Sequence, residues 1–129
     1  MANFEPVTIE DYLAEIGPTL KPPVANRVWF AGPQFFVMVV GGPNNRDDFH
    51  FQPGSELFFQ FKGAMQLDVM EDDGRKKVPI GEGEMFLLPK AVHHSPQRFS
   101  DTIGTYLYWI LEFICTLTCH NLIILRHRF

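Results

Sequence analysis

The sequence predicts an all-β domain with one short helix near its N-terminus. Short runs of apolar and aromatic residues alternate with turns rich in glycine and proline, a pattern typical of β-sandwiches and barrels. Phenylalanine occurs 13 times among 129 residues, and aromatic side chains favour sheet surfaces and barrel interiors. These two observations set the fold class, and each element can then be placed in order.

Residues 8–16 predict the helix. Thr8 is suited to the N-cap position, and acidic residues follow in the first turn. Apolar residues recur on one face at helical spacing, and Gly17-Pro18 ends the helix. We expect this helix to pack on the outside of the sheets.

Strands are predicted at residues 26–30, 35–40, 57–61, 65–70, 78–80 and 85–88. Within 65–70, Met65, Leu67 and Val69 alternate with residues expected to face solvent, as in a half-buried strand. Asp72-Asp-Gly74 is a hairpin signal. Pro89 is expected to end the 85–88 strand and to open a loop that carries His94.

Composition favours one folded domain and argues against nucleic acid as a partner. The chain is 46% hydrophobic and 20% charged, with a net charge of −4. No Lys/Arg cluster is present, so no nucleic acid is expected as partner. The N-terminal residues lack a basic segment followed by an apolar one, so no signal peptide is expected. The cysteines, Cys115 and Cys119, lack a second ligand pair for zinc. A cytoplasmic protein is therefore expected.

The chain changes character near Gly104. Residues 105–125 contain only one Asp, Glu, Lys or Arg, namely Glu112. The stretch has the length of a transmembrane helix, but it also contains several polar residues and suits strands equally well. No membrane association is expected. We predict a domain at 1–104 and a divergent hydrophobic tail at 105–129.

Three residues form a candidate metal site: His50, Glu56 and His94. Singly, such residues are more often hydrogen-bonded structural groups. Their spacing raises the signal. In the first segment, five residues separate Gly42 from Asp48, one separates Asp48 from His50, and six separate Glu56 from Gly63. In the second segment, five residues separate Gly83 from Pro89, and four separate Pro89 from His94. Two imidazoles and one carboxylate leave one face of a metal open, which is typical of non-haem Fe(II) sites that use O₂. His93 should face away, because neighbouring strand residues point to opposite sides.

The two glycine-bracketed segments resemble the cupin motifs, and longer segments are similar to the 3-hydroxyanthranilate 3,4-dioxygenase family. These are KPPVANRVWF, GGPNNR, RDDFHFQPGSE, EGEMFLLP and PKAVHHSPQRFSDTIG, within residues 5–104. The resemblance implies a cupin jelly-roll barrel, a monomer or homodimer, and Fe(II) as cofactor. It implies a ring-opening reaction that converts 3-hydroxyanthranilate and O₂ to 2-amino-3-carboxymuconate semialdehyde, which leads from tryptophan to quinolinate and NAD.

The resemblance also implies residue roles. His50, Glu56 and His94 would be the iron ligands. Arg46 would lie beside the O₂ site and, with Glu56, take part in catalysis. Arg98 would bind the substrate carboxylate, and Asn26 and Glu56 would also contact the substrate.

The sequence departs from this family after Gly104. A glutamate that contacts substrate is expected in a V-V/I-E-R-type run soon after SDTIG, but Tyr106-Leu-Tyr-Trp109 stands there. Glu112 lies four residues too far along. Two alternatives therefore stay open: a metal-binding cupin without this activity, and an inactive isoform. We expect residues 105–129 to complete the barrel poorly and to leave the substrate pocket without its acidic residue.

Overall fold

The computed structural model describes residues 5–22, 25–44 and 46–109. The elements are α1 (Ile9–Ile16), a 3₁₀ turn (Gly17–Thr19), β1 (Asn26–Ala31), β2 (Phe35–Gly41), β3 (Ser55–Lys62), β4 (Met65–Glu71), β5 (Gly74–Ile80), β6 (Met85–Leu88), β7 (His94–Arg98) and β8 (Ile103–Trp109). The all-β prediction with one short N-terminal helix is confirmed.

The strands form two antiparallel sheets. One has five strands in the order β1-β2-β8-β3-β6, and the other has three in the order β5-β4-β7. An isolated bridge between His50 and His94 adds a further pairing at the free edge of β7. Among the described residues the ladders do not close into a continuous barrel.

The main core fills the space between the two sheets. Its buried members are Phe58, Met65, Leu67, Val69, Ile80 and Leu88. Met65, Leu67 and Val69 alternate along β4 because successive strand residues face opposite sides. The same alternation turns Glu56 and Gln60 of β3 inward beside Phe58, so the core strand also carries polar groups into the interior.

The helix α1 packs against the outside of the sheets, as predicted. Its last residue, Ile16, joins Leu20 and Val39 in a second cluster, with Tyr12 and Trp29 packed against it. Thr8 occupies the N-cap position, but its side chain makes no capping hydrogen bond. Only its carbonyl oxygen contributes, by accepting a hydrogen bond from the Tyr12 amide.

Two local predictions were wrong. His94 begins β7 instead of lying in a loop after Pro89. Asp68 does not face solvent, because its side chain is fully buried. Arg75 reaches across the β4–β5 hairpin to bind its carboxylate, and Gln66 donates a second hydrogen bond to it. A buried carboxylate needs such partners, and here the hairpin register supplies them.

The strand β8 lies at the centre of the five-stranded sheet. It pairs with β2 on one side and β3 on the other over seven residues, Ile103–Trp109. It therefore continues across the predicted boundary at residue 104. Glu112, both cysteines and the rest of the predicted tail lie outside the described residues. No helix in the described part of the chain is long and apolar enough to cross a membrane.

Candidate metal centre

The three predicted ligands come together between the two sheets. Glu56 lies near the start of β3, His94 begins β7, and His50 is held beside His94 by two backbone hydrogen bonds of 3.0 and 2.8 Å. One ligand atom from each residue lies within 4.8 Å of the others. His93, in contrast, is exposed, as strand alternation predicts.

The protonation pattern of His94 favours a cation. Its Nδ1 lies 2.9 Å from the Val92 carbonyl oxygen, and a carbonyl can only accept, so Nδ1 carries the proton. In the neutral imidazole, the other nitrogen, Nε2, presents a lone pair 3.2 Å from Glu56 Oε2. Both His94 Nε2 and Glu56 Oε1 are buried without a hydrogen-bond partner. Buried acceptors facing each other are costly unless a cation lies between them, so the donor set fits a divalent metal.

His50 is also suited to a metal. Burial lowers the pKa of His50 and the positive charge of Arg46 lowers it further, whereas Glu56 and Asp48 act in the opposite direction. Arg46 Nη2 lies 3.2 Å from His50 Nδ1. The lowered pKa favours the neutral imidazole, which is the form that binds metals.

Arg98 is a buried cation that forms no ion pair with the residues that the structure describes. It is only 4% exposed, and burial lowers its pKa to about 10, so it stays charged at neutral pH. Its Nη1 donates to Gln60 Oε1 at 3.3 Å. Within the described residues no carboxylate forms an ion pair with it. Such a group is ready to bind an anion from outside the protein.

Arg46 has a different environment. Its Nε and Nη2 donate to the Asp48 carboxylate at 2.9 and 2.5 Å. This pairing raises the pKa of Arg46 and lowers that of Asp48 to about 2. The pair is partly exposed, so Arg46 lies at the rim of the site, whereas Arg98 lies in its interior.

A cavity of about 130 Å³ joins these groups. Its lining consists of Asn26, Met38, Val40, Asn44, Arg46, His50, Glu56, Phe58, Pro96, Arg98 and Tyr106. Five of the six predicted site residues line it. The sixth, His94, is not part of the lining but belongs to the same ligand cluster as Glu56 and His50. Glu56 is the only acidic residue in this lining.

Three contributors were not predicted from sequence: Asn44, Gln60 and Tyr106. Asn44 Oδ1 accepts from the Arg98 amide at 2.6 Å, and its Nδ2 donates to the Pro96 carbonyl at 2.8 Å. Gln60 shares the inward face of β3 with Glu56, which strand alternation could have indicated. In the sequence, Tyr106 stands out only as the first residue of the run 106–109, which departs from the family pattern.

Comparison with known proteins agrees with this geometry. The model of the 3-hydroxyanthranilic acid dioxygenase family matches residues 1–108. The chain belongs to this family. Curated relatives named 3-hydroxyanthranilate 3,4-dioxygenase include those of Mycosarcoma maydis, 46% identical over 100 residues, and Nematostella vectensis, 48% identical over 94 residues. These matches cover 77% and 73% of this chain but 55% and 35% of the relatives. The chain thus spans about a third to just over half of their length.

Solved structures support the fold. A protein from Neisseria meningitidis matches 82% of this chain and 100% of its own, with a TM-score of 0.63 and 23% identity. A cupin-2 domain protein from Shewanella frigidimarina matches 81% of this chain and 94% of its own, with a TM-score of 0.62 and 17% identity. The cupin fold predicted from the motifs is confirmed.

Proposed function

We propose that the chain is an Fe(II)-dependent dioxygenase that opens the ring of 3-hydroxyanthranilate with O₂ to give 2-amino-3-carboxymuconate semialdehyde. This would place it between tryptophan and quinolinate in NAD biosynthesis, in the cytoplasm, as a monomer or homodimer. The observation that carries the proposal is one cavity whose lining includes members of a metal-ligand cluster and a buried arginine that, among the described residues, has no ion-pair partner.

His50, Glu56 and His94 would hold the metal. Three protein ligands leave coordination positions for other groups, and ferrous iron would supply electron transfer between O₂ and the aromatic ring. The neutral imidazoles and the single carboxylate match the preferences of Fe(II) better than those of a thiolate-binding metal.

Arg98 would bind the substrate carboxylate. Its planar guanidinium can donate two parallel hydrogen bonds, and its burial strengthens that interaction. Gln60 and Asn44 hold the side chain and backbone of Arg98 in place. The substrate ring would then extend from Arg98 towards Glu56, with Asn26 at the cavity wall.

Arg46 would assist from the rim. Its positive charge faces the ligand cluster through the 3.2 Å contact with His50. A fixed cation there favours negative charge that develops on dioxygen during the reaction. Asp48 orients this guanidinium through two hydrogen bonds.

A second candidate is a metal-binding cupin without dioxygenase activity, including an inactive isoform. One observation favours it. Tyr108 stands four residues after Gly104, where the family resemblance predicts the substrate-contacting glutamate, and Glu56 is the only acid in the described cavity lining.

Anaerobic loading with Fe(II), followed by O₂ uptake with 3-hydroxyanthranilate, tests the proposal. We expect one O₂ consumed per substrate and absorbance of the ring-opened product. Tight Fe(II) binding with no substrate-dependent O₂ uptake would instead support the second candidate. A His94→Ala variant is the control for iron bound elsewhere.

A further inference from the structure

Tyr106 occupies a distinctive place in the cavity. It is the central residue of β8 and lies opposite Met38 of β2 and Phe58 of β3 in the sheet register. Its side chain lines the cavity together with Glu56, Arg46 and Arg98. Tyr108, two residues along on the same face, is almost fully buried and does not belong to that lining.

Two aromatic neighbours fix the Tyr106 ring. Phe58 stacks on it with ring centroids 6.1 Å apart and an interplanar angle of 26°. Phe36 meets it edge-on at 5.6 Å and 78°. A ring held between two others cannot rotate away to admit a larger ligand without disturbing the core. Tyr106 is therefore a rigid wall rather than a movable gate.

The hydroxyl of Tyr106 interacts electrostatically with the charged groups of the cavity, Glu56, Arg98 and Arg46. Burial raises its pKa and the negative charge of Glu56 raises it further, whereas Arg98 and Arg46 act in the opposite direction. The phenol is thus neutral at physiological pH and does not repel an aromatic acid. No hydrogen bond ties this hydroxyl to another group in the described part of the chain.

The volume of the cavity makes the position of the Tyr106 ring important. The cavity measures about 130 Å³, and an apolar cavity of about 150 Å³ is large enough to hold one benzene ring. A larger pocket adjoins the cavity at Asn26, Val40, Asn44 and Arg46, so space is limited on the β8 side, and there a wall residue decides which substituents fit.

We propose that Tyr106 is a specificity-determining residue, whose ring closes the cavity on the β8 side and excludes ligands that carry a substituent on the ring edge facing it. The inference rests on the proposed function, because the excluded ligands are substituted 3-hydroxyanthranilates. It adds a residue that selects among them.

The test measures binding of 3-hydroxyanthranilate and its 4-, 5- and 6-methyl derivatives to the Fe(II)-loaded chain under argon, by calorimetry. Parent, Tyr106→Val and Tyr106→Phe are compared. Tyr12→Val is the matched control, because it makes the same change in the outer cluster around Ile16 and Val39, away from the cavity lining. Thermal melts verify that each variant is folded.

For each protein, the affinity for each methyl isomer is divided by the affinity for the unsubstituted acid. For at least one isomer we expect this ratio to be about tenfold or more higher in Tyr106→Val than in the parent, the gain typical of one methyl group in an apolar pocket. Tyr106→Phe keeps the ring and should show the parent's selectivity, as should Tyr12→Val. If no isomer gains in Tyr106→Val, or if Tyr106→Phe or Tyr12→Val gains equally, the proposal is overturned. If the parent binds none of the four acids, the proposed function fails and this inference fails with it.

Discussion

Arg98 shows how one residue can indicate a ligand. Placing a charged guanidinium in the interior costs free energy unless another charge or several hydrogen bonds offset it. Here one side-chain hydrogen bond of 3.3 Å, to Gln60, is what the described residues provide. The remaining donors of Arg98 are thus available for an anionic ligand, which the proposed function identifies as the carboxylate of an aromatic acid.

Replacing Arg98 by alanine should weaken binding of 3-hydroxyanthranilate by about 2–5 kcal/mol, the cost typical of removing one partner of a buried charged pair. Binding of Fe(II) should change far less, because the metal ligands are other side chains. Calorimetric titration of each ligand separately measures both effects.

Arg98→Lys provides the comparison, since it keeps the charge and loses the planar pair of donors. An intermediate affinity is expected for it. Equal substrate affinity in parent and Arg98→Ala would show that Arg98 has only a structural role.

Sequence reasoning found the metal-ligand cluster because its signal is local. His50 and Glu56 lie in one glycine-bracketed segment and His94 lies in another, so spacing alone could select them. The roles of Asn44 and Gln60 depend on contacts across 54 and 38 residues of chain. No local pattern fixes which side chains meet over such separations.

At the scale of elements, β8 organises the interior of the site. Its inward residues face those of β3 in register, with Gly104 opposite Gln60, Tyr106 opposite Phe58 and Tyr108 opposite Glu56. The space above Gly104 is filled by the Gln60–Arg98 pair. A Cβ atom there would lie 1.9 Å from Gln60 Oε1 and 2.9 Å from Arg98 Nη1.

Gly104→Ala should therefore displace Arg98 and weaken binding of 3-hydroxyanthranilate, with a smaller effect on Fe(II) affinity. The same calorimetric titrations measure both. Gly17→Ala is the control, because the nearest atom to its added Cβ is 3.8 Å away. Unchanged substrate affinity in Gly104→Ala would mean that the Gln60–Arg98 pair yields without consequence.

Tyr108 permits a second test on β8. It lies directly opposite Glu56, where the family resemblance predicts a glutamate. Tyr108→Glu should raise the rate of O₂ uptake by about 10²–10⁴-fold, the typical contribution of a positioned acid–base group. A parent chain that already reacts as fast as Tyr108→Glu would show that this tyrosine is a harmless replacement.

Most strands were predictable from their patterns, and the exceptions have physical causes. Asp68 looked solvent-facing because nothing in its own segment indicates that Arg75 will reach it across the hairpin. β8 was ambiguous because its residues are at least partly buried on both faces, and such a strand lacks polar alternation and resembles a buried helix in sequence. Its central place in the sheet comes from pairing with two distant strands.

At the scale of the whole molecule, the metal centre joins parts that are far apart in sequence. Glu56 belongs to the five-stranded sheet, His94 to the three-stranded sheet, and His50 to the bridge at the edge of β7. A metal bound to all three would connect the two sheets. It would also satisfy the two buried acceptors, His94 Nε2 and Glu56 Oε1, that otherwise have no partner.

Metal binding should therefore stabilise the fold against heat. A ligand present at a hundred times its dissociation constant adds about 2.7 kcal/mol to the free energy of unfolding when it binds only the folded state. For a chain of this size we expect Fe(II), added under argon, to raise the melting temperature by several degrees. His94→Ala should abolish that rise. His93→Ala is the matched control, because it removes an exposed imidazole next to the site, and its rise should equal that of the parent. If His94→Ala keeps the full rise, the stabilising metal binds elsewhere and the assigned ligand set is wrong.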